Sequence, residues 1–270
     1  MRSCDLDAYE RHGFLVLEDF LPAAECDALQ ARAAELVGGF ETPARRTVFS
    51  AEDQRHADDR YFSESGGAIR FFFEEAATGQ PTALALNKIG HALHDLDPAF
   101  DRVSRRPELA ALAHELGLAR AVLLQSMYLF KQPRIGAPVD WHQDATFLYT
   151  EPSTVTGFWI ALDDADRDNG CLMALPGGHR GPLRQRFRRR GGRLALETLD
   201  DTPWPAIPPV AIEARRGTLV VLHGLLPHAS APNRSARPRH AYSLHVIDGC
   251  ADYPPDNWLQ RPTLPLRGFS

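Results

Sequence analysis

Three polar residues of this chain have the types and spacing of an iron-binding site. His142 and Asp144 stand two positions apart, and a second histidine follows much later in the chain. Two imidazoles and one carboxylate bind one face of Fe(II) and leave three coordination positions open, as in non-haem iron oxygenases. Residues i and i+2 of an extended segment point to the same side, so His142 and Asp144 can face one metal ion. The sequence therefore predicts an iron site made of His142, Asp144 and one distant histidine.

The distant histidine has two candidates, which differ in the arginine that follows each. His223 precedes Arg234 by eleven residues, and His228 precedes Arg239 by the same interval. Arg234 lies in a turn-forming run without a firm orientation. Arg239 opens a predicted strand, where a guanidinium can hold a carboxylate through two parallel N–H bonds. We therefore assign His228 as the third ligand and Arg239 as the partner of a 2-oxoglutarate carboxylate. His223 is then a hydrogen-bonded histidine at a strand end, or a group behind the ligands or on the substrate side.

The strand that Arg239 opens also indicates which of its side chains would face the site. Period-two alternation puts Arg239, Ser243 and His245 on one face and apolar or aromatic residues on the other. An arginine anchored in this way would have a fixed direction.

The chemistry of such a site explains the choice of residue types. 2-Oxoglutarate would occupy two of the open positions on Fe(II) and O2 the third, and its oxidative decarboxylation would yield succinate. A glycine or alanine in place of Asp144 would open a site for a halide, so this carboxylate favours hydroxylation over halogenation. We expect Fe(II), 2-oxoglutarate and O2 to be required, with ascorbate as a supporting reductant.

A second H-x-D pair shows that this motif also arises by chance. His56 and Asp58 stand in a run of charged residues with no predicted strand nearby. His142 instead follows Pro138 and Val139 and precedes an apolar segment near the mouth of the predicted barrel. We therefore expect no metal at His56 and Asp58.

Composition places the chain among ordinary globular proteins. Its 270 residues are 44% hydrophobic and 24% charged, with a formal net charge of -5. That charge indicates no nucleic-acid or membrane partner, and the longest apolar runs are too short to cross a bilayer. The start of the chain lacks the apolar stretch of a secretory signal, and the four cysteines lie far apart, as is usual in a reducing compartment. We predict a cytoplasmic enzyme that acts on a small molecule; the sequence predicts no particular oligomeric state.

The N-terminal part of the sequence has helical periodicity. Pro22 can begin a helix that ends at residues 38–39, and Pro107 can begin another that ends at Gly117. Between them, residues 50–67 are rich in polar residues and glycine, which predicts a loop or a short irregular region.

From about residue 121 the pattern changes to short apolar runs separated by glycine- and proline-rich turns. These runs predict six strands, at residues 122–130, 155–162, 171–175, 210–212, 218–222 and 241–247. Such a series favours a sandwich or barrel over a parallel α/β sheet. We predict a mainly β fold with flanking α-helices, namely a double-stranded β-helix (a cupin-like jelly roll) buttressed by N-terminal helices. The chain, residues 1–270, is expected to form a single domain, with mostly helical support at 1–120, the jelly-roll core at 121–250 and a C-terminal tail at 251–270.

Several runs of the sequence resemble the phytanoyl-CoA dioxygenase family, and together they span nearly the whole chain. They are residues 13–17, 69–74, 87–94, 125–133, 142–152 and 169–172. The resemblance implies iron at His142, Asp144 and His228, with Arg239 on the distal carboxylate of 2-oxoglutarate. It does not imply an acyl-CoA substrate, since the family hydroxylates varied small molecules.

The resemblance also implies further co-substrate contacts from Lys88, Met127 and Trp159. From the residues alone, Lys88 would be a surface lysine, Met127 a core residue and Trp159 a packing residue in an apolar strand. Asn233 and Ser235 also match family positions, where they would either position the co-substrate or cap the turn in which they lie.

Two features depart from the family pattern. Trp141 directly precedes the first ligand and is expected to alter the wall beside the iron. Residues 184–193 form a strongly basic run, which is usually a solvated loop. If this run lines the mouth of the site, it would attract an anionic substrate.

Three other functions compete with a small-molecule hydroxylase. A non-catalytic ligand-binding jelly roll would not need His142, Asp144, His228 and Arg239 all to be intact. A metal-dependent hydrolase or isomerase on a cupin-like barrel would have no use for Arg239 and would act with zinc, without O2 or 2-oxoglutarate. A protein hydroxylase would use the same residues, and the sequence does not separate it from the leading prediction, an Fe(II)- and 2-oxoglutarate-dependent hydroxylase of a small organic molecule.

Overall fold

Two β-sheets of the chain face each other across a cavity. They are described from a computed structural model, which covers residues 3–41, 46–49, 59–77 and 79–269. His56 and Asp58 lie outside these residues, as does much of the stretch predicted as a loop between residues 50 and 67.

The described residues contain seven α-helices and fourteen strands. The helices are α1 Ser3–His12, α2 Ala23–Gly38, α3 Arg60–Ser63, α4 Thr82–Ala85, α5 Leu93–Leu96, α6 Pro98–Ser104 and α7 Pro107–Glu115. The strands are β1 Phe14–Leu17, β2 Val48–Phe49, β3 Ile69–Glu74, β4 Leu86–His91, β5 Ala121–Lys131, β6 Val139–His142, β7 Thr156–Ala161, β8 Leu172–Ala174, β9 Gln185–Arg190, β10 Arg193–Thr198, β11 Val210–Ile212, β12 Leu219–His223, β13 His228–Ser230 and β14 Arg239–Asp248. No helix within the described ranges combines the length and the apolar character needed to span a membrane.

The strands form a large and a small sheet and one separate hairpin. The large sheet has eight strands in the order β1-β12-β7-β14-β5-β4-β3-β2, and the small sheet has four in the order β11-β8-β13-β6. Strands β9 and β10 pair only with each other. Nearly all of these pairings are antiparallel, with β2 and β3 as the parallel exception. The arrangement is the predicted double-stranded β-helix, with helices packed on the large sheet.

Strand β14 separates the core of the protein from the cavity. Tyr242 and Leu244 are buried in a hydrophobic cluster with residues of α2, α6 and α7. Arg239, Ser243 and His245 lie on the opposite face and line the cavity. The alternation predicted for this strand is therefore confirmed.

The predicted elements are present, but eight of the fourteen described strands were not predicted, and four of these lie in the N-terminal part. The two predicted helices are α2 and α7, and all six predicted strands occur with ends shifted by at most two residues. Strands β1 to β4 were not predicted, and they extend both edges of the large sheet. Their short apolar runs show no clear period, and they become strands by pairing with β12 and β5, which lie far along the chain. The division into support, core and tail stays a prediction.

A buried carboxylate ties the N-terminal helices to the C-terminal tail. The side chain of Asp95 is fully buried, and its Oδ1 accepts hydrogen bonds from Arg105 at 2.6 Å and from Arg267 at 2.8 Å. Its Oδ2 accepts another from Arg261. Burial alone would raise the pKa of Asp95, but the hydrogen bonds of His94, Arg261 and Arg267 hold it far below its usual value.

We expect Asp95→Asn to lower the free energy of unfolding by about 3 kcal/mol, because it leaves buried arginines without their counter-charge. The stabilising contribution of a carboxylate with a depressed pKa is present above its unfolded pKa of about 3.9 and is lost as the pH falls. The difference between wild type and variant should therefore shrink below about pH 4. Urea unfolding at neutral and acidic pH measures both effects.

Asp101→Asn is the matched control for this measurement. Asp101 contacts Arg105 and Arg267 as Asp95 does, but its side chain is 41% exposed. Its loss should cost less than about 1 kcal/mol, as for other surface ion pairs. Equal effects of the two variants would show that Asp95 is no more important than a surface carboxylate.

Candidate active site

Two strand ends of the small sheet and a short turn bring the three candidate ligands together. His142 ends β6, His228 begins β13, and the two are partners in the register of these strands. Asp144 begins a 3-10 turn that follows β6. Its Oδ1 lies 3.8 Å from Nε2 of His142 and 3.6 Å from Nε2 of His228. One ligand atom from each residue lies within 4.8 Å of the others, so all three can bind one metal ion.

Backbone carbonyl groups orient both imidazole rings. Nδ1 of His142 lies 2.7 Å from the carbonyl oxygen of Asp140, and Nδ1 of His228 lies 3.0 Å from that of Leu226. A carbonyl oxygen only accepts, so each Nδ1 carries a proton and each Nε2 presents its lone pair towards Asp144. Burial, helped by the charge of His228, lowers the pKa of His142 to about 4. The ring is thus neutral at physiological pH, as a metal ligand must be.

Asp144 is ionised in a buried position. The residue is 7% exposed. Burial alone would raise its pKa, but the neighbouring His228 and His245 lower it well below the usual range of a carboxyl group. Two imidazole nitrogens and one carboxylate oxygen on one side form the donor set that suits Fe(II) with open positions. The residues present therefore fit an iron ion.

Arg239 lies in the same cavity as the candidate ligands, a space of about 400 Å3. The residue is 4% exposed, and its Nη2 lies 3.5 Å from Oγ of Ser230. Its Nε and Nη1 have no hydrogen-bond partner among the described residues. Burial lowers its pKa to about 10, so the guanidinium stays charged at neutral pH. Because an unpaired buried cation is costly, this side chain fits a carboxylate that enters the cavity.

The three further co-substrate residues implied by the family resemblance line this cavity as well. The ring centroid of Trp159 lies 5.5 Å from Cζ of Arg239, and Met127 lies on β5. Lys88 is 6% exposed, so its interpretation as a surface lysine is wrong. Burial lowers the pKa of Lys88 to about 7, although the charge of Glu74 acts in the opposite direction. The structure thus brings Lys88, Met127, Trp159 and Arg239 around one space.

Asn233 and Ser235 are not among the residues that line the cavity. Nδ2 of Asn233 donates to the carbonyl groups of Lys131 at 2.9 Å and of Arg237 at 2.7 Å. Its Oδ1 accepts from the backbone N–H and the hydroxyl of Ser235, both at 2.9 Å. These bonds tie the turn before Arg239 to the end of β5. The resemblance left two roles open for Asn233 and Ser235. Of these, the structure favours capping of the turn over a contact with the co-substrate.

The rejected pair, His223 and Arg234, lies apart from the cavity wall. Nδ1 of His223 accepts a hydrogen bond from the backbone N–H of Leu225 at 3.1 Å. Arg234 is exposed. Their positions support the choice of His228 and Arg239, which share the cavity.

Several polar residues of the cavity wall were missed by the sequence analysis or given no role there. They are Glu74, Gln125, Lys131, Ser230 and His245. Gln125, Met127 and Lys131 are separated by even numbers of residues along β5, so their side chains point to the same face of the strand. This period could have identified Gln125 and Lys131 from the sequence once Met127 was placed in the cavity. Lys131 is also the strand partner of Arg239, and burial lowers its pKa to about 6.

At the end of the cavity opposite Arg239, the wall is largely apolar and aromatic. Phe62 and Trp258 stack there with their ring centroids 4.6 Å apart. Phe147 and Trp141 also line the cavity, Trp141 directly before the first candidate ligand. Phe62, Phe147 and Trp258 belong to a cluster around the far end of the β5–β14 pair.

The basic run forms the β9–β10 hairpin, so its interpretation as a solvated loop is wrong. Arg186 and Arg188 donate to the carboxylate of Asp256 at 2.6 and 3.0 Å. The hairpin contributes Gln185 and Leu196 to the cavity wall, and none of its arginines. Attraction of an anionic substrate by this run is therefore not supported.

The geometry agrees with a comparison against families of known proteins. The model of a family described as "Phytanoyl-CoA dioxygenase (PhyH)" matches residues 9–241. The chain belongs to this family. The family predicted from the sequence is confirmed, and with it the class of 2-oxoglutarate-dependent non-haem iron dioxygenases.

Members of the family match this chain over nearly their whole length. "Phytanoyl-CoA dioxygenase" of Arabidopsis thaliana is 44% identical over 271 residues, which cover 96% of this chain and 94% of the relative. "Phytanoyl-CoA dioxygenase domain-containing protein 1" of Bos taurus is 43% identical over 282 residues, which cover 97% of this chain and 96% of the relative.

A solved structure with a similar fold is that of EctD from S. alaskensis with 2-oxoglutarate and 5-hydroxyectoine. It is 21% identical, covers 98% of this chain and 85% of the EctD chain, and has a TM-score of 0.68. Its likeness supports the jelly-roll fold.

We expect His142→Ala and Asp144→Ala each to weaken Fe(II) binding by more than about 100-fold, beyond the effect of residues that only orient a ligand. His223→Ala should bind iron as the wild type does, because this histidine lies outside the cavity wall. Competition with a chromogenic chelator under anaerobic conditions measures the affinities. A similar loss in His223→Ala would contradict the choice of His228.

Proposed function

We propose that this protein hydroxylates a small organic molecule with Fe(II), 2-oxoglutarate and O2, and releases succinate and CO2. One observation carries the proposal. The buried guanidinium of Arg239, with two nitrogens that lack partners among the described residues, lies in one cavity with His142, Asp144 and His228. A metal site alone would serve a hydrolase or an isomerase equally well. A buried cation beside it matches a co-substrate with a distal carboxylate.

The charges at the Arg239 end of the cavity suit a dianion. Lys88 and Lys131 line the cavity together with Arg239, and the charge of Glu74 acts on both lysines. Burial raises the pKa of Glu74, which accepts a hydrogen bond from the amide of Asn87 at 3.0 Å. 2-Oxoglutarate would bring two carboxylates to the charged guanidinium of Arg239 and to two amines whose protonated forms it would favour. The low local dielectric strengthens this attraction.

Each residue has a defined task in this proposal. His142, Asp144 and His228 would hold Fe(II), which would supply the activation of O2 when bound. In the overall reaction, one oxygen atom of O2 would enter succinate and the other the hydroxyl group of the product, with release of CO2. Arg239 binds the distal carboxylate of 2-oxoglutarate and fixes its direction. The ring of Trp159 closes one side of the space in which the co-substrate lies.

The wall opposite Arg239 supports a substrate with an apolar part. Phe62, Phe147 and Trp258 would contact that part and exclude water from it. The candidate ligands line the same cavity, so a substrate held against this wall would present a C–H bond to the metal side. A small organic molecule fits a cavity of about 400 Å3.

We expect Arg239→Met to raise the half-saturating concentration of 2-oxoglutarate at least about 30-fold, the equivalent of 2 kcal/mol for the loss of one partner of a buried charge pair. Iron binding should stay near the wild-type value, because Arg239 is not a ligand. Succinate formation with Fe(II), ascorbate and O2 gives the kinetic readout. The visible charge-transfer absorption of the anaerobic complex gives the binding readout.

Arg234→Met is the matched control, because Arg234 is an exposed arginine of the neighbouring turn. It should leave both readouts unchanged. Wild-type protein that binds Fe(II) but shows neither succinate nor the absorption band with 2-oxoglutarate would contradict the proposal. Binding without turnover of any kind would instead favour a non-catalytic jelly roll.

Binding of 2-oxoglutarate to the anaerobic iron-loaded protein should take up protons at pH 8. Burial lowers the pKa of Lys88 to about 7 and that of Lys131 to about 6, so both amines are largely neutral at this pH. A dianion beside them favours their charged forms and raises both pKa values. The binding enthalpy should therefore differ between phosphate and Tris buffers at pH 8. The proton uptake itself should be smaller at lower pH, because a larger fraction of both amines is then protonated before binding.

Lys88→Met and Lys131→Met test the source of the protons. Each variant should reduce the proton uptake at pH 8 by the amount that the missing lysine contributes in the wild type. Equal enthalpies in the two buffers at pH 8 for the wild type would show that neither lysine changes its charge on binding.

A further inference from the structure

His245 lies on the cavity wall beside Asp144, on the side away from the other two histidines. The residue is 5% exposed, and its Nε2 lies 3.4 Å from Oδ2 of Asp144. The other carboxylate oxygen, Oδ1, is the atom near His142 and His228. The two oxygens of Asp144 therefore face different partners.

Two atoms at this contact have no hydrogen-bond partner among the described residues. They are Oδ2 of Asp144 and Nδ1 of His245, and both are buried. A buried polar atom without a partner loses the hydrogen bond that it had with water. A hydrogen bond from Nε2 of His245 to Oδ2 of Asp144 would offset this loss for the carboxylate. The two atoms are 3.4 Å apart, a few tenths of an ångström more than in an ordinary hydrogen bond, so a small shift and turn of the imidazole ring would form it.

Gly157 leaves the room that this contact needs. It is the partner of His245 in the register of β7 and β14. A Cβ atom at position 157 would lie 2.9 Å from Oδ2 of Asp144 and 3.7 Å from Cδ2 of His245. Any side chain there would push the carboxylate oxygen out of its place. Gly157 and His245 thus form two sides of a slot for Oδ2.

The backbone is also irregular at this point. His245 pairs with Gln125 of β5, but Val246 pairs with Leu123, so that Leu124 is an extra residue in β5. Bulges of this kind bend a strand and redirect side chains, and they are common next to active sites. The irregularity lies where the large sheet meets Asp144.

We propose that His245 is a positioning residue that donates its Nε2–H to Oδ2 of Asp144 and keeps Oδ1 directed at the metal. A carboxylate held by one oxygen in this way binds a metal through the other oxygen alone. That leaves three positions for the co-substrate and O2, whereas a carboxylate bound through both oxygens would occupy one of them. The inference rests on the proposed function, because it assumes that His142, Asp144 and His228 hold iron.

Two substitutions of His245 separate a hydrogen bond from simple packing. His245→Leu fills the space without a donor, and His245→Gln keeps an N–H at nearly the distance of Nε2 from the backbone. We expect the Leu variant to bind Fe(II) about 10- to 100-fold more weakly, the range for groups that orient a metal ligand. The Gln variant should stay within about threefold of the wild type, because it keeps the donor. Chelator competition under anaerobic conditions gives the affinities, and thermal unfolding of the metal-free proteins gives their stability.

Spectroscopy supplies a readout that packing alone would not change. A shift of Asp144 towards binding through both oxygens alters the ligand field of iron. The near-infrared ligand-field bands of the Fe(II) protein should therefore move in the Leu variant and return in the Gln variant. Unchanged affinity and bands in the Leu variant would overturn the proposal. Loss of iron in both variants to the extent seen in His142→Ala would also overturn it, because His245 would then be a ligand.

Gly157→Ala tests the same slot from the opposite strand, in case the His245 variants fold poorly. Its added Cβ should displace Oδ2 of Asp144 and weaken Fe(II) binding by about tenfold or more. Gly38→Ala is the control, since a Cβ at that position meets nothing within 4 Å. A wild-type affinity in Gly157→Ala would contradict the slot.

These measurements use neither 2-oxoglutarate nor turnover. A wild-type protein that binds iron but forms no succinate would contradict the proposed function and leave the test of His245 intact. A wild-type protein that binds no iron would overturn both.

Discussion

The period-two alternation of the central strands is the constraint on which both the core and the active site depend. On β14 it sends Tyr242 into the core under the helices and directs Arg239 and His245 into the cavity. The same alternation on β5 places Met127 and Lys131 on the cavity side. A shift of register by one residue would exchange the two faces and put charged groups into the apolar core. The packing that stabilises the sheet therefore also fixes the direction of the functional side chains.

The cavity holds charges that the fold must tolerate. Lys88, Lys131 and Arg239 are each less than a tenth exposed. Burial lowers the pKa of each, which favours its neutral form. Removal of such groups from water reduces stability. For Arg239, whose Nε and Nη1 lack partners among the described residues, an anion that enters the cavity would offset part of this loss. The apolar cluster on the other side of the same sheet supplies the compensating burial. An anion site of the proposed kind would therefore depend on the stability that this apolar cluster supplies.

Local signals in the sequence predicted much of the fold, and they pointed to the three residues that the structure brings together as a candidate metal site. The spacing of His142 and Asp144, the alternation after Arg239 and the proline starts of α2 and α7 depend only on neighbouring residues. The remainder depends on distant ones. Lys88 is buried because β4 pairs with β5, and two arginines of the basic hairpin donate to Asp256 in the C-terminal tail. No periodicity within these segments contains that information, because the partners lie far along the chain.

The stack of Phe62 on Trp258 joins a short helix of the N-terminal part to the C-terminal tail. Arg261 and Arg267 of this tail pair with the buried carboxylate of Asp95 and so fix the tail to the helices. The substrate-facing wall is therefore built from segments outside the two sheets, whereas the candidate ligands stand at strand ends or directly after them. Substitutions in the outer segments can change the shape of this wall without moving a ligand. Under the proposed function, the residues that would set reactivity and those that would set substrate selectivity therefore lie on different segments, and the latter can vary while the former stay in place.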